Sequence, residues 1–386
     1  MRLNDKAVKV LNRLNESGYE AYLVGGCVRD FVMGKIPSDY DITTSALPEE
    51  TKTLFEKTID TGIKHGTVTV IFEGEAFEVT TFRAESEYEK NRKPKSVEFV
   101  RNLEEDLKRR DFTMNAMCLD SKGEIVDLYG GCEDIKNKII RCVGEADIRF
   151  EEDALRMLRG IRFSCKTGFE IEEKTFEAMK NKAHLIKNIS AERIKSELDG
   201  ALMGEYYANL VFLEETGLSK YIFENAEVVL SENAPKNVNV RWALLLENEQ
   251  NPKQILEKLK FDNKSKKEIL SYLENKSVSL NDDEYFIKCF VYQNKIADFY
   301  SYMDFRCALD KSLEPLKDKY RDIKIPTIKN LRIDGNILTE MGFEKSSIGK
   351  VFEKLLYFVF ENETNNKQET LKEKAEEIKC SGNLNI

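Results

Sequence analysis

Histidine is nearly absent from this sequence, which holds only His65 and His184, neither followed by aspartate. A fused phosphohydrolase that binds metal through paired His-Asp residues is therefore excluded. The eight cysteines include no Cys-x-x-Cys pair, which argues against a structural zinc site and against a disulfide scaffold. No apolar run approaches membrane-spanning length. We expect a protein of the reducing cytoplasm that is neither exported nor membrane-bound.

The charge balance is acidic, with 60 Lys and Arg residues against 69 Asp and Glu residues and a net charge of −9. Such a chain has no overall attraction for nucleic acid, so any nucleic-acid binding must depend on a local basic patch. Apolar residues make up 41% and charged residues 33% of the 386 residues, which fits a soluble globular protein. The length allows roughly two or three domains.

Residues 22–44, YLVGGCVRDFVMGKIPSDYDITT, predict a strand, a tight turn, a short helix and a second strand. Gly25 and Gly26 let the backbone turn sharply and approach a ligand without a Cβ in the way. Arg29 follows them and offers a forked donor suited to phosphate. The segment is not a Walker loop, because seven residues rather than four separate Gly26 from the next Gly-Lys pair.

Two aspartates lie on the predicted second strand, Ser38 to Ile42. Residues two apart on a strand face the same side, so we expect Asp39 and Asp41 to project together. Adjacent carboxylates repel unless a cation lies between them, and Mg²⁺ accepts hard oxygen ligands while leaving positions for substrate phosphates. Asp-x-Asp alone more often marks the wet face of an edge strand. Combined with the glycine turn and Arg29, it indicates a site for a nucleoside triphosphate.

Two β-rich runs, HGTVTVIF and AFEVTTF, are joined by Glu73-Gly74-Glu75 and predict a hairpin. Glu78 lies on the second run and is a candidate third acidic group at the Asp39/Asp41 site. A solvent-facing strand glutamate is an equally weighted alternative. The segment Glu85 to Val97, ESEYEKNRKPKSV, is densely charged and without periodicity, so we expect a mobile loop.

A second group of phosphate-capable cations, Arg109-Arg110-Asp111, follows a helix predicted around Leu103 and Leu107. A charge run of this kind is otherwise a solvated face. The turn DLYGG at residues 127–131 then helps to close a mixed α/β domain, which we expect to end near residue 145.

The remainder of the chain has helical rather than alternating patterns. Basic residues concentrate in two places that are candidates for an RNA-binding track, although each is otherwise a solvated helix face. These residues are Lys180, Lys182, Lys187, Arg193 and Lys195, and Lys258, Lys260, Lys264, Lys266 and Lys267.

A helix predicted over residues 152–163 carries Asp153, Arg156, Arg159 and Arg162 at intervals of three. Its structural interpretation is a set of i,i+3 ion pairs. Its functional interpretation is base recognition, because an aspartate beside an arginine places an acceptor next to a donor. Cytosine and adenine both present an amine donor next to a ring-nitrogen acceptor, whereas uracil and guanine place a carbonyl there. Such a pair selects C and A without a nucleic-acid template.

The sequence resembles the class II tRNA nucleotidyltransferases, the CCA-adding enzymes and their poly(A) polymerase relatives, in the ordered segments LVGGCVRDFVMG, SDYDITT, RRDFTMNAM, DLYGGCEDIKNKIIR, EDALRMLRGIRF and ISAERIKSELDGAL. The resemblance implies an α+β head of the polymerase β palm type, followed by all-α neck, body and tail domains. We expect the head at 1–145, the neck at 146–205, an RNA-binding body at 206–275 and a tRNA-binding tail at 276–386.

The same resemblance implies the site roles. Asp39 and Asp41 would bind Mg²⁺, and Asp153 and Arg156 would select the base. The incoming nucleotide would be held by residues from the glycine turn, the RRD segment and the predicted helix, namely Gly26, Arg29, Arg110, Arg159 and Arg162. The residue patterns described above add Glu78 as a candidate catalytic carboxylate and Gly25 as a candidate nucleotide-binding residue.

The implied activity is template-independent addition of C, C and A to the 3′ end of tRNA from CTP and ATP, with no obligate protein partner. The Glu85 to Val97 loop weighs against an enzyme that adds only cytidines, since such family members typically lack it. An A-adding specialist stays open. A poly(A) polymerase is less favoured because the end of the chain is not net basic. A non-catalytic RNA-binding protein is the alternative from another class, against which the intact Asp39 and Asp41 argue.

Overall fold

The computed structural model describes residues 3–85, 88–89, 93–94, 97–223, 228 and 234–381. The chain divides into two compact units, the first comprising Met1–Leu230 and Asn248–Phe261 and the second Ser231–Glu247 and Asp262–Ile386. The finer division at residues 145, 205 and 275 stays a prediction. Within the described ranges, no helix has the length and apolar character needed to cross a lipid bilayer.

The strands found in the described residues all belong to the first unit. They are β1 (Ala21–Val24), β2 (Asp41–Thr44), β3 (Thr58–Gly62), β4 (Thr67–Phe72), β5 (Glu75–Thr81), β6 (Arg83–Glu85), β7 (Tyr88–Glu89), β8 (Lys93–Pro94), β9 (Val97–Phe99), β10 (Met117–Leu119), β11 (Ile125–Asp127), β12 (Ile139–Ile140) and β13 (Glu170–Ile171). The described residues of the second unit contain only helices and connecting segments.

The helices before residue 230 are α1 (Asp5–Glu16), α2 (Gly26–Val32), α3 (Pro48–Leu54), α4 (Leu103–Lys108), α5 (Gly131–Asn137), α6 (Ala146–Glu152), α7 (Leu155–Thr167), α8 (Glu173–Lys182), α9 (Ala191–Leu202), α10 (Phe212–Glu215) and α11 (Ser219–Ile222). Those after it are α12 (Val238–Leu245), α13 (Pro252–Lys258), α14 (Asn263–Glu274), α15 (Glu284–Gln293), α16 (Phe299–Leu309), α17 (Glu314–Lys319), α18 (Gly335–Glu340), α19 (Ile348–Glu361) and α20 (Gln368–Ser381). Of this second group, α13 belongs to the first unit.

Seven strands form one mixed sheet in the order β11-β10-β1-β2-β5-β4-β3. Within this seven-stranded sheet, β2 and β5 are the one pair of neighbours that run in parallel. The predicted hairpin is confirmed: β4 and β5 pair antiparallel, and Glu73 and Gly74 between them have φ of 48° and 80°, the backbone of a tight hairpin turn. Together with the helical remainder, this sheet confirms the predicted α+β fold with a mixed head.

The strand predicted from Ser38 is wrong at its start, because β2 begins only at Asp41. The neighbouring strand β1 explains the difference. It pairs with β2 as far as Leu23 opposite Ile42 and ends at Val24, where Gly25 turns the chain into α2. Residues before Asp41 therefore have no ladder partner on that side. Asp39 lies in irregular chain just before the strand.

The predicted loop from Glu85 to Val97 falls partly outside the described residues. Its two ends pair as β6 and β9, with Arg83 opposite Phe99. Gly66 packs against this stem so closely that a Cβ there would lie 2.8 Å from Phe99 Cε1. The stem is therefore anchored on the turn that precedes β4.

The helical part of the first unit packs α6 on α8 and α7 on α9. One short strand, β13, interrupts these helices. It pairs in parallel with β12 of the head. In the second unit, α19 packs against α15, α18 and α20. The apolar faces of α19 and α20 contribute to one buried cluster of this unit, through Val351, Leu355, Leu356, Val359, Phe360, Leu371 and Ala375.

Candidate active site

The three predicted carboxylates lie in one neighbourhood, where β2 begins beside β5, and Asp39 and Glu78 both act electrostatically on Asp41. Asp41, the first residue of β2, lies directly opposite Glu78 of β5, and Asp39 precedes it by two residues. Desolvation within the site and repulsion by Asp39 and Glu78 raise the pKa of Asp41 to about 6, against an opposing effect of Arg110. Asp41 nevertheless keeps a solvent-exposed surface at the start of β2. The cluster carries more negative charge than its own surroundings neutralise.

This donor set fits a divalent cation. Carboxylate oxygens are hard ligands, and paired carboxylates together with substrate phosphates are the usual surroundings of Mg²⁺. No group of three or more His, Cys, Asp and Glu side chains in the described residues is close enough to form a protein-only metal cage. Metal binding by Asp39 and Asp41 therefore stays a prediction, in which a phosphate-bearing substrate would have to supply further ligands.

The glycine turn lies between β1 and α2, as predicted. Gly25 has φ of 75° and ψ of −129°, a conformation that only glycine adopts readily. A Cβ on Gly25 would lie 3.5 Å from Arg110 Nη1, and one on Gly26 would lie 3.7 Å from Arg29 Nη2. The two glycines thus keep the space beside both guanidinium groups free of side chains.

Arg110 is held by Asp106, a residue that the sequence interpretation missed. Arg110 Nη2 donates to Asp106 Oδ2 at 3.1 Å, and Arg109 Nη2 donates to Oδ1 at 2.8 Å. Although burial of Asp106 opposes ionisation, Arg110 and Arg109 hold its pKa below the ordinary value. The i,i+3 and i,i+4 spacing on a helix was the available signal. In the described structure, Arg110 Nε is buried without a hydrogen-bond partner.

Asp106 also connects the arginines to the sheet. It is fully buried and accepts hydrogen bonds from Thr43 Oγ1 of β2 at 3.2 Å and from the Arg83 backbone N–H of β6 at 3.3 Å. One carboxylate therefore fixes Arg110 relative to the strand that carries Asp41.

Asp111 ties the RRD segment to α7. Arg159 Nε donates to Asp111 Oδ2 at 2.7 Å, while Asp111 Oδ1 accepts from Asn115 Nδ2 at 3.2 Å. Burial of Asp111 opposes ionisation, but Arg159 and the other donors lower its pKa to about 2. Asn115 in turn accepts from Arg29 Nη1 at 3.0 Å. Two of the predicted nucleotide-binding arginines, Arg29 and Arg159, are thereby linked through one chain of hydrogen bonds.

The predicted single helix over residues 152–163 is wrong: α6 ends at Glu152, Asp153 is extended with φ of −136°, and α7 begins at Leu155. The i,i+3 ion pair between Asp153 and Arg156 is also absent. Asp153 Oδ1 instead accepts the Leu155 backbone N–H at 3.1 Å, a local bond that favours a helix start over a continuous helix.

Asp153 and Arg156 take separate partners. Arg193 Nη2 of α9 donates to Asp153 Oδ2 at 2.8 Å. Arg156 is buried and donates from Nη1 to Glu152 Oε2 at 2.6 Å and from Nη2 to the Arg109 carbonyl at 2.8 Å. Asp153 and Arg156 are thus held by other residues and not by each other. Neither Glu152 nor Arg193 was singled out for this role from the sequence.

Arg162 contacts Glu197 of α9, with Nε 2.5 Å from Glu197 Oε2. Glu197 Oε1 also lies 3.9 Å from Arg159 Nη1. Among the described residues, Arg162 hydrogen-bonds only through Nε. Its two terminal nitrogens are therefore available to a ligand.

The first basic cluster is largely neutralised within the chain. Lys182 contacts Glu151 and Asp147, Lys180 contacts Glu177, and Lys195 contacts Asp199. Lys187 Nζ lies 4.7 Å from the centroid of the Tyr221 ring. An RNA-binding track along these residues stays a prediction, and it would have to compete with these intramolecular partners.

Family models match most of the chain. Residues 21–141 match the "Poly A polymerase head domain", residues 168–230 the "Probable RNA and SrmB- binding site of polymerase A" and residues 235–375 "tRNA nucleotidyltransferase domain 2 putative". A carboxylate-bearing head that matches the first model, followed by helical regions that match the other two, defines a nucleotidyltransferase.

Proteins of similar sequence and structure show which kind of nucleotidyltransferase this chain resembles. The CCA-adding enzyme of Lactobacillus helveticus is 38% identical over 387 residues, covering 97% of each chain, and that of Bacillus cytotoxicus is 47% identical over 71% of this chain and 72% of its own. The crystal structure of the Bacillus stearothermophilus CCA-adding enzyme in complex with CTP has a TM-score of 0.83 and 34% identity, covering 97% of this chain and 98% of its own. The chain belongs to the CCA-adding enzyme family of tRNA nucleotidyltransferases. The family implies use of a divalent metal, which the donor set fits.

Proposed function

We propose that this protein adds C, C and A in turn to the 3′ end of tRNA, using CTP and ATP and releasing pyrophosphate. The observation that carries the proposal is the meeting of Asp41, Glu78 and Arg110 beside the Gly25 turn. Acid groups for a metal and donors for a triphosphate are thereby brought to one place. Family membership supplies the substrate, since the relatives are named CCA-adding enzymes and one was crystallised with CTP.

The residues of this chain would divide the work of nucleotidyl transfer. Gly25 and Gly26 admit the triphosphate to the space beside Arg29 and Arg110, whose guanidinium groups neutralise its charge. Positioning and charge compensation supply most of the rate in such transfers. The 3′ oxygen of the RNA forms a bond to the α-phosphorus, and the bond from that phosphorus to the departing pyrophosphate breaks.

Asp39 and Asp41 would hold Mg²⁺, with Glu78 as the adjoining carboxylate. When bound, the metal supplies activation of the RNA 3′-hydroxyl and charge neutralisation on the leaving pyrophosphate. The raised pKa of Asp41 supports this assignment, because desolvation and then repulsion by Asp39 and Glu78 disfavour the bare carboxylate, and a bound cation would relieve that repulsion.

Base selection falls to Asp153 and Arg156, each held by a partner of its own. Arg193 fixes Asp153 as an acceptor, and Glu152 fixes Arg156. The acceptor of Asp153 and the donors of Arg156 would complement the adjacent amine and ring nitrogen of C and A when a base takes up a position against both side chains. Arg159 and Arg162 complete the nucleotide pocket. We further propose a cytoplasmic location and no obligate protein partner.

The test is single-nucleotide extension of three tRNA transcripts, ending before CCA, after C and after CC, with each triphosphate in turn. Two additions of C, one of A and a stop support the proposal. Extension of only the CC-ending transcript, by A, would make the protein an A-adding specialist. A growing ladder of A would make it a poly(A) polymerase, and RNA binding without extension a non-catalytic protein.

A further inference from the structure

One phenylalanine ring contacts three of the predicted nucleotide-binding arginines. The guanidinium carbons of Arg29, Arg159 and Arg162 lie 5.5, 5.5 and 4.3 Å from the centroid of Phe163. Arg29 comes from α2 of the head, whereas the other two precede Phe163 on α7. The ring is therefore the point at which arginines from two separate elements converge.

The Phe163 ring is itself held in place. It is 5% exposed, and Phe112 packs against it edge-to-face at 5.9 Å between centroids and 86° between planes. Phe112 directly follows Asp111, the partner of Arg159. The Asp111-Phe112 segment therefore contacts both Arg159 and the Phe163 ring. These two contacts hold the ring in a constant position relative to the arginine.

Three guanidinium groups around one ring carry like charges, which repel each other. Each guanidinium group has a carboxylate partner: Asp30 for Arg29, Asp111 for Arg159 and Glu197 for Arg162. The electron-rich face of an aromatic ring also attracts cations. Each guanidinium group therefore has both a carboxylate and the Phe163 ring as partners, and among the described residues Arg162 hydrogen-bonds only through Nε.

We propose that Phe163 is a positioning residue for the incoming nucleotide, holding Arg29, Arg159 and Arg162 in the arrangement that receives the triphosphate. This inference rests on the proposed function and deepens it. The ring does not touch the reacting atoms and acts only through the arginines.

Phe163→Leu keeps an apolar side chain and removes the aromatic face, whereas Phe163→Tyr keeps that face. We expect Phe163→Leu to raise the KM for CTP and for ATP about tenfold, with a smaller change in kcat and an unchanged KM for tRNA. Phe163→Tyr should restore the nucleotide KM to near the wild-type value. Calorimetric titration with CTP should give the same order of affinities without depending on turnover.

Phe55→Leu is a matched control. Phe55 is also 5% exposed, has an edge-to-face partner in Phe72 at 6.2 Å, and has an arginine, Arg13, 5.2 Å from its centroid. It lies at the end of α3, outside the nucleotide site. We expect a similar fall in melting temperature for both Leu variants and a nucleotide KM that changes only in Phe163→Leu.

Equal nucleotide KM and CTP affinity in the wild type and Phe163→Leu would overturn the proposal, as would failure of Phe163→Tyr to restore them. If Phe163→Leu does not fold, Phe163→Met, which fills irregular space flexibly, takes its place under the same criteria. A wild type that binds CTP but adds no nucleotide would refute the proposed activity, and the titrations would still decide the role of Phe163.

Discussion

Asp41 and Glu78 occupy the same level of the sheet on neighbouring parallel strands, each the register partner of the other. This is the only parallel pairing in the seven-stranded sheet. An antiparallel ladder would send the two strands in opposite directions from this level. With parallel pairing both strands run in the same direction from this level, and because Asp41 is the first residue of β2 the acidic groups lie at the start of that strand, beside the middle of β5.

Asp41→Asn should abolish nucleotide addition while leaving RNA affinity nearly unchanged. The substitution removes a metal-binding charge, and the melting temperature should hold or rise because repulsion with Asp39 and Glu78 is relieved. Extension assays, RNA-binding titrations and thermal unfolding measure the three quantities. Asp60→Asn, which alters an exposed aspartate on β3 of the same sheet, should retain activity. Addition by Asp41→Asn at the wild-type rate would refute the metal assignment.

Arg156→Ala should relax base choice more than it weakens triphosphate binding. The side chain is buried beside Glu152, and Arg149 lies 3.0 Å from that carboxylate, so Glu152 keeps a partner after the substitution. The measurement is the ratio of UTP and GTP incorporation to CTP incorporation, alongside the KM for CTP. Arg141→Ala is the control, because Arg141 also bridges carboxylates, Asp134 and Glu172, in the first unit. An unchanged ratio in Arg156→Ala would contradict base selection by this residue.

Local sequence signals predicted the hairpin and the glycine turn because both depend on backbone preferences of a few adjacent residues. Glu73-Gly74 has the positive φ angles of a tight turn, and Gly25 has the positive φ expected where β1 passes into α2. The parallel pairing of β2 and β5 was not determined by such signals. It joins Asp41 to Glu78 across 37 residues, and strand order in a sheet follows from how the whole chain packs.

The prediction of a single helix over residues 152–163 failed for a different physical reason. A spacing of three fits a helix and suggested that Asp153 and Arg156 pair with each other. Long-range partners override that pairing: Arg193, 40 residues away in sequence, contacts Asp153, and the Arg109 carbonyl accepts from Arg156. Partners so distant in the chain leave no periodic trace in the sequence. The partners of Asp106 could have been found from the sequence, since Arg109 and Arg110 follow it within about one helical turn.

Gly25→Ala should weaken nucleotide binding well beyond its effect on stability. Its φ of 75° with ψ of −129° is strained for alanine, and the new methyl group would lie 3.5 Å from Arg110 Nη1, in space proposed for the triphosphate. Gly34→Ala is the control, since Gly34 has φ of 71° and open space around its Cβ position. Both variants should lose stability, but only Gly25→Ala should show a raised KM for CTP and ATP. Matching KM values in the two variants would count against the phosphate-binding turn.

Asp111→Asn should reduce stability at neutral pH, and its effect should disappear in acid. The folded-state pKa of Asp111 is about 2, below the value near 3.9 of an unfolded chain. A depressed pKa stabilises the fold above the unfolded value, by about 2 to 3 kcal/mol here, and that contribution is lost as pH falls from about 4 toward 2.

The measurement must follow the first unit, and the single Trp242 lies in the second. Hydrogen exchange in peptides covering α7 is therefore the suitable probe. The difference in protection between wild type and Asp111→Asn should be constant from pH 7 to 5 and shrink below pH 4, because the protonated wild-type carboxyl then resembles the amide.

Asp282→Asn is the control. Its pKa is lowered by Lys319, but the pair is exposed, so little stability should be lost. A difference for Asp111→Asn that persists unchanged into acid would mean that packing, rather than its charge toward Arg159, stabilises α7.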